Sequence, residues 1–355
     1  MSVVGSDNMI KPQSLKKGDK VALVSLSSGI LGEDSNKERL QRTIDNLKSI
    51  FGLEIVFMPN ALIGTDNLYN HPELRAKDLM DAFRDDSIKA IWTLTGGDDT
   101  IRLLPFIDFD VIRNNPKIFI GFSDTTVNHF MLYKAGVTSY YGPAAGVEFS
   151  LTNVQKENIE TVIRTLFNPQ EDLLLNHYNI LANDPEDWSK GIDIKSDDKG
   201  YEVIQGNGIV EGELLGGCID VFTMIIGTSI WPSSEEWKNK VLFIETSDEQ
   251  PLPDLVKYIL YNMGVQGILN NINGILIGRP KNGKYYEEYN KVVKEVTRIF
   301  GRSDLPIVAN CHFGHAWLWN ILPYGDVIRI NCDEKTLTLK ECPTKKNEEE
   351  INIIK

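Results

Sequence analysis

Ser123 stands where an apolar run, Lys117-Ile118-Phe119-Ile120-Gly121-Phe122, passes without a linker into a helical pattern. A strand running straight into a helix lifts one side chain above the sheet edge and turns the new helix's free N–H groups towards it. A serine so placed can carry out acyl transfer; the competing reading makes Ser123, Asp124 or Thr125 a helix N-cap. The nucleophile reading requires a base, nearly always histidine, and an acid that holds the imidazole's tautomer. Of five histidines, His71 falls in a polar loop, His129 on the helix after Ser123 and His177 in an irregular stretch, while His312 and His315 follow an apolar strand within Cys311-His312-Phe313-Gly314-His315. Strand ends followed by glycine-containing loops are where α/β proteins gather functional groups, so His315, beside Gly314, is the favoured base. An H-x-x-H metal pair is the rival use of His312 and His315, but no nearby carboxylate or third histidine completes it.

Val241-Leu242-Phe243-Ile244-Glu245 ends an apolar strand in a carboxylate, which is costly beside a core unless it is paired. A surface glutamate at a strand end reads the same way, and Asp248 and Glu249 are the substitute acids. An oxyanion needs N–H donors: the N–H of Asp124 and that of Gly97, in Thr95-Gly96-Gly97-Asp98, are the candidates. A tight turn is the plainer use of Gly96-Gly97, and without a Lys-Ser/Thr ending or a full G-x-G-x-x-G it does not read as a phosphate cradle.

Strands and helices must alternate to position these groups. Apolar runs at 20–25 and 53–58 flank a stretch, 35–51, in which Leu40, Ile44 and Leu47 recur at helical spacing. A helix over 72–83, a strand over 90–94, a short helical stretch over 98–104, the Ser123 strand, a helix to about Lys134 and a strand over 138–141 complete a parallel α/β unit covered on both faces. A helix over 154–167 ends at Asn168-Pro169, and the chain then reads as polar and irregular to Asn207. The second half reads as a strand over 208–215, a break at Gly216-Gly217, a helix to Ile226, and strands over 240–245, 272–277, 305–310, 326–331 and 336–339 with helices over 251–263 and 285–300. The expected division is an N-terminal domain over 13–167, a polar junction over 168–207, a C-terminal domain over 208–340 and a charged tail over 341–355.

Bulk properties exclude several classes. With 355 residues, 42% hydrophobic and 25% charged, the chain is long enough for two cores and has no window of about eighteen consecutive apolar residues. A formal charge of −13 repels phosphate backbones, and no basic patch offsets it, so neither nucleic acid nor a membrane is an expected partner. Met1 to Pro12 lacks a basic start and an apolar block, so the expected location is the cytoplasm. Cys218, Cys311, Cys332 and Cys342 lack C-x-x-C spacing and read as buried or inert free thiols.

The ordered set of Gly96-Gly97, Gly121-Phe122-Ser123-Asp124, Glu245 and Phe313-Gly314-His315 followed by Leu322-Pro323-x-Gly325 resembles the LD-carboxypeptidase family of serine peptidases, which includes the microcin C self-immunity peptidases. The resemblance spans roughly Val21 to Ile330. It implies a Ser123-Glu245-His315 triad, an oxyanion hole from the N–H groups of Gly97 and Asp124, and a homodimer without metal or organic cofactor. It also implies a flavodoxin-like or glutamine-amidotransferase-like N-terminal domain and a smaller mixed α/β C-terminal domain. Members that trim cell-wall peptides carry an aromatic after the Gly-Gly pair and a proline three residues beyond the histidine, where this chain has Asp98 and Leu318. The polar junction with Trp188 resembles the immunity-type branch, in which a tryptophan of this region stacks on a nucleobase; partly buried packing is the alternative use of Trp188.

The leading expectation is therefore hydrolysis of a peptide or amide bond near a free carboxyl end, in a murein peptide or a peptidyl-nucleotide, with Gly96, Asp98 and Trp188 contacting the substrate. Arg102, Arg279 and Lys281 are candidates for its carboxylate. The alternatives are a non-catalytic two-lobed binder of a small ligand and, ranked lower because position 123 is not cysteine, an amidotransferase-like transferase.

Overall fold

Five short apolar segments, β1 (Lys20–Val24), β2 (Glu54–Phe57), β3 (Ile88–Thr93), β4 (Ile118–Gly121) and β5 (Tyr140–Tyr141), pair in parallel in the order β2-β1-β3-β4-β5. The structure is a computed structural model that describes residues 9–178, 180–183, 192–196 and 200–346. Strands covered on both faces must be apolar on both. Val21 and Leu23 accordingly enter one core with Leu47 and Phe51 of the helix Lys37–Phe51, while Ala22 and Val24 enter the other with Leu79 and Phe83 of the helix Pro72–Arg84. The strand order reverses between β1 and β3, and a doubly wound sheet opens a crevice at that switch point, beyond the strands' carboxyl ends.

The second sheet has eight strands: β6 (Leu173–Leu174), β9 (Glu202–Gln205), β10 (Ile209–Cys218), β11 (Lys240–Glu245), β12 (Gly274–Gly278), β13 (Ile307–Cys311), β15 (Val327–Asn331) and β16 (Thr336–Leu339). β10 to β13 run parallel, and antiparallel strands close both edges. A separate hairpin pairs β7 (Ile180–Asn183) with β8 (Asp193–Ser196). The stretch expected to be irregular between 168 and 207 thus holds β6 to β9, strands of two to four residues set in polar sequence.

Two further expectations change. Gly216 and Gly217 do not break the chain after a strand; they lie inside β10, which continues to Cys218. A Cβ at Gly217 would stand 2.6 Å from Thr126 Cγ2, so the missing side chain lets β10 pass against the start of the helix that follows Ser123. The helix beyond, expected to reach Ile226, is a single turn, Phe222–Ile225.

The two domains share one core. Helix Thr126–Ala135 is buried nearly all round, and Phe130 packs against Phe222 and Trp231 of the second domain at ring distances of 5.8 and 5.7 Å. β14 (Leu322–Pro323), which sequence reading missed, leaves the C-terminal domain and adds an antiparallel edge to the first sheet beside β5. An edge position tolerates Pro323, which has no N–H to donate to a further neighbour. Among the described residues no helix is long and apolar enough to cross a membrane.

Candidate active site

β4 ends at Gly121, and two residues later Ser123 adopts φ 63°, a left-handed conformation that a non-glycine residue seldom takes. Strain of this kind persists where the surroundings over-determine it. Here the Ser123 N–H donates to the Tyr141 hydroxyl (3.2 Å), and the His129 Nε2–H donates to the Gly121 carbonyl (2.9 Å). That bond fixes the His129 tautomer, so Nδ1 accepts from the Ser139 hydroxyl at 2.8 Å. Full burial pulls the His129 pKa down to about 3. His129 is therefore a neutral strut behind the turn.

The Gly96-Gly97 loop after β3 reaches the serine. A Cβ on Gly96 would lie 3.2 Å from Ser123 Oγ, and one on Gly97, whose φ is 152°, would fall 2.1 Å from Ser27 Oγ. Ser27 Oγ accepts from the N–H groups of Asp98 and Asp99 (3.0 and 3.2 Å) and donates to Asp99 Oδ1 (3.2 Å). Fully buried Arg75 grips Asp99 with two bonds, 2.6 and 3.0 Å, and Arg102 adds a third at 2.8 Å. Burial resists charging Asp99, but the two guanidinium groups outweigh it and hold its carboxyl below the usual range. The loop is thus braced from beneath. Arg102 serves this brace and the Tyr69 carbonyl (2.7 Å).

The second domain supplies the other half. Glu245 ends β11, 1% exposed, and its Oε2 accepts from His315 Nδ1 at 2.8 Å and from the His315 N–H at 3.2 Å. Its Oε1 accepts from the Tyr141 hydroxyl at 2.5 Å, so one tyrosine links the strand-end acid to the backbone of Ser123. Gly314, at φ 84°, lets the loop pass so close that a Cβ there would stand 2.3 Å from Glu245 Cγ. Burial opposes a charge on His315, but Glu245, with Asp248 and Asp220, more than offsets it and raises the imidazole's pKa. Phe122 lies edge-on to the His315 ring at 4.9 Å and to Trp319 at 4.6 Å, seating the histidine loop on the serine turn.

Ser123, His315, Gly96, Gly97 and Asp98 all line one cavity of about 830 Å³. Asp124 turns its carboxylate away to the Thr100 N–H (2.9 Å), and burial raises that carboxyl's pKa. Lys281 lines the cavity, whereas Arg279 holds Asn310 (2.8 Å) outside its lining. Trp188 lies outside the described residues. His312 packs edge-on to Tyr178 at 5.2 Å, away from His315; among the described residues the one group of three metal-capable side chains is Cys218, Glu245 and His315. Burial, then Glu245, keeps the Cys218 thiol protonated, and it donates to Asp220 at 3.3 Å.

Sequence reading missed Tyr141, Arg39 and Glu148. Tyr141 closes an expected strand, so its position at the sheet's carboxyl edge was legible. Arg39 and Glu148 carry no local signal and meet at the cavity only through the fold. Burial raises the Glu148 pKa to about 8 despite the opposing pull of His315 and Arg39.

The LD-carboxypeptidase N-terminal domain matches residues 21–142 and the LD-carboxypeptidase C-terminal domain residues 211–330. An MccF-like protein from Streptococcus pneumoniae, solved in complex with AMP, is 31% identical and superposes over 91% of this chain and 98% of its own with a TM-score of 0.82. The probable murein peptide carboxypeptidase of Bacillus subtilis is 26% identical over 93% of this chain and 94% of its own length. The microcin C7 self-immunity protein MccF of Escherichia coli is 26% identical over 75% of this chain and 78% of its own.

Proposed function

The chain belongs to the LD-carboxypeptidase family, and on that premise we propose that it is a serine-type hydrolase of a peptide or amide bond near a free carboxyl end. The observation that carries the reading is the 2.8 Å contact of His315 Nδ1 with Glu245 Oε2 in the cavity that the left-handed Ser123 also lines. Ser123 Oγ attacks the carbonyl while His315 Nε2 takes its proton, and Glu245 stabilises the imidazolium through Nδ1–H. The N–H groups of Asp124 and Gly97 receive the tetrahedral oxyanion. His315 then protonates the leaving nitrogen, and water, activated by the same imidazole, releases the acyl group from Ser123.

Two substrate classes follow from the relatives, one being named for murein peptides and another having been solved with AMP. Mass-spectrometric turnover of L,D-linked muropeptides and of aminoacyl- or peptidyl-sulfamoyl nucleotides separates them. Ser123→Ala should abolish turnover of whichever panel is cleaved and block labelling by a serine-directed phosphonate, with the thermal transition unchanged. Full retained hydrolysis would remove the mechanism. The homodimer that the family resemblance implies is measured by sedimentation equilibrium.

A further inference from the structure

The ends of β10 and β11 build one stretch of the cavity wall from Asp220, Ser247, Asp248 and Glu249. The two segments are clamped together: the Ile219 N–H donates to the Glu245 carbonyl (2.8 Å) and the Ser247 N–H to Asp220 Oδ1 (3.2 Å). Asp248 Oδ1 lies 3.9 Å from His315 Nε2, which places this wall beside the reacting bond. Among the described residues three carboxylates stand here against one ammonium, Lys281, 3.9 Å from Asp248 Oδ2. The cavity's other charged liners are engaged elsewhere or lie on other segments: Asp99 with Arg75 and Arg102, Glu148 near Arg39, and Asp98 on the glycine loop.

An independent feature marks the same place. Ser247 is only 8% exposed, and among the described residues its hydroxyl oxygen has no hydrogen-bond partner. Buried hydroxyls are ordinarily satisfied, so an orphaned one in a cavity wall points to a group that arrives from outside. An ammonium offers three donors and no acceptor, and a guanidinium five. Carboxylates with a hydroxyl lone pair among them match that donor-only chemistry and repel an anionic side chain.

We propose that Asp220, Ser247, Asp248 and Glu249 form a subsite for a cationic side chain, ammonium or guanidinium, on a residue flanking the bond that Ser123 attacks; this rests on the hydrolase reading above. The subsite selects lysine-like over isosteric neutral or acidic residues through charge and hydrogen bonding, not through size.

The test uses the Ser123→Ala protein, so that binding is read without turnover. Calorimetry compares lysine, norleucine and glutamate members of two series: sulfamoyl adenosines of the three amino acids, and N-acetyl dipeptides carrying the residue on either side of the peptide bond. The best lysine member should bind at least about tenfold tighter than its norleucine counterpart, and glutamate weakest. The advantage should shrink to less than about threefold with Asp248→Asn and Glu249→Gln, and at about 0.5 M salt. Both side chains are exposed, so these variants keep the fold, and Ser247→Ala reads the hydroxyl separately. Equal affinity for lysine and norleucine, no binding of any lysine member, or a preference that survives the substitutions would overturn the proposal. Wild-type hydrolysis without charge preference overturns this inference alone, whereas lysine-selective binding without hydrolysis overturns the hydrolase reading alone.

Discussion

At the residue scale the pH profile follows from the His315 environment. In the proposed mechanism the imidazole acts as base only when neutral, and Glu245 raises its pKa against the pull of burial. The acidic limb of kcat/KM should therefore have its midpoint above the ordinary value of about 6.5. Glu245→Gln should move that midpoint down and lower kcat by about 10²- to 10⁴-fold, both read from one set of pH-rate profiles. Glu148 has the opposite sign in stability. Its folded pKa of about 8 lies above the value in an unfolded chain, so the folded state keeps a proton that the unfolded state loses, and stability falls as pH rises through that window. Glu148→Gln removes this term: its urea midpoint should exceed the parent's at about pH 9 and approach it at about pH 5.

At the element scale the histidine loop is held by close approach as well as by hydrogen bonds. Gly314→Ala would place a methyl group 2.3 Å from Glu245 Cγ at a φ that alanine adopts with strain, so the β13–β14 loop must lift. The expected result is a loss of about 10²-fold or more in kcat, since an ångström of misplacement is that costly. Global stability should fall by about 1–3 kcal/mol, measured by chemical denaturation. A variant with parental kcat would show that the His315–Glu245 contact does not depend on this turn.

At the scale of the whole molecule the two domains are coupled through a shared interior. Phe130, fully buried on the first domain's helix, lies among Phe222, Trp231 and Trp237 of the second. Phe130→Ala should cost about 3–5 kcal/mol. Because the core is continuous across the joint, calorimetry should still show one transition; two separated transitions would mean that the domains unfold independently. The proposed chemistry depends on the same joint, since the serine turn and the glycine loop belong to one sheet and Glu245 and His315 to the other.

Much of this was legible locally. Apolar runs marked β1 to β4, and the bounds of β11 and β16 were read to the residue, β11 because burial on both faces leaves an apolar run and β16 because Thr-Leu-Thr-Leu alternates with its one buried face. Ser123 and Glu245 stood out at the ends of apolar runs and His315 in the glycine-containing loop after another, and the serine's flanking Gly121 showed the turn. What no local pattern carried was who meets whom. Gly216-Gly217 read as a break because a glycine pair says nothing of the helix packed against it, and β14 was invisible because two residues have no period. The link from Tyr141 to Glu245 joins positions 104 apart in the chain, and Glu148 acquires its raised pKa only from the burial that folding imposes. Composition and periodicity determined the longer elements and which residue types sit at their ends. The pairing of those ends was decided by long-range packing, whose free energy depends on surfaces that adjoin only after the chain has folded.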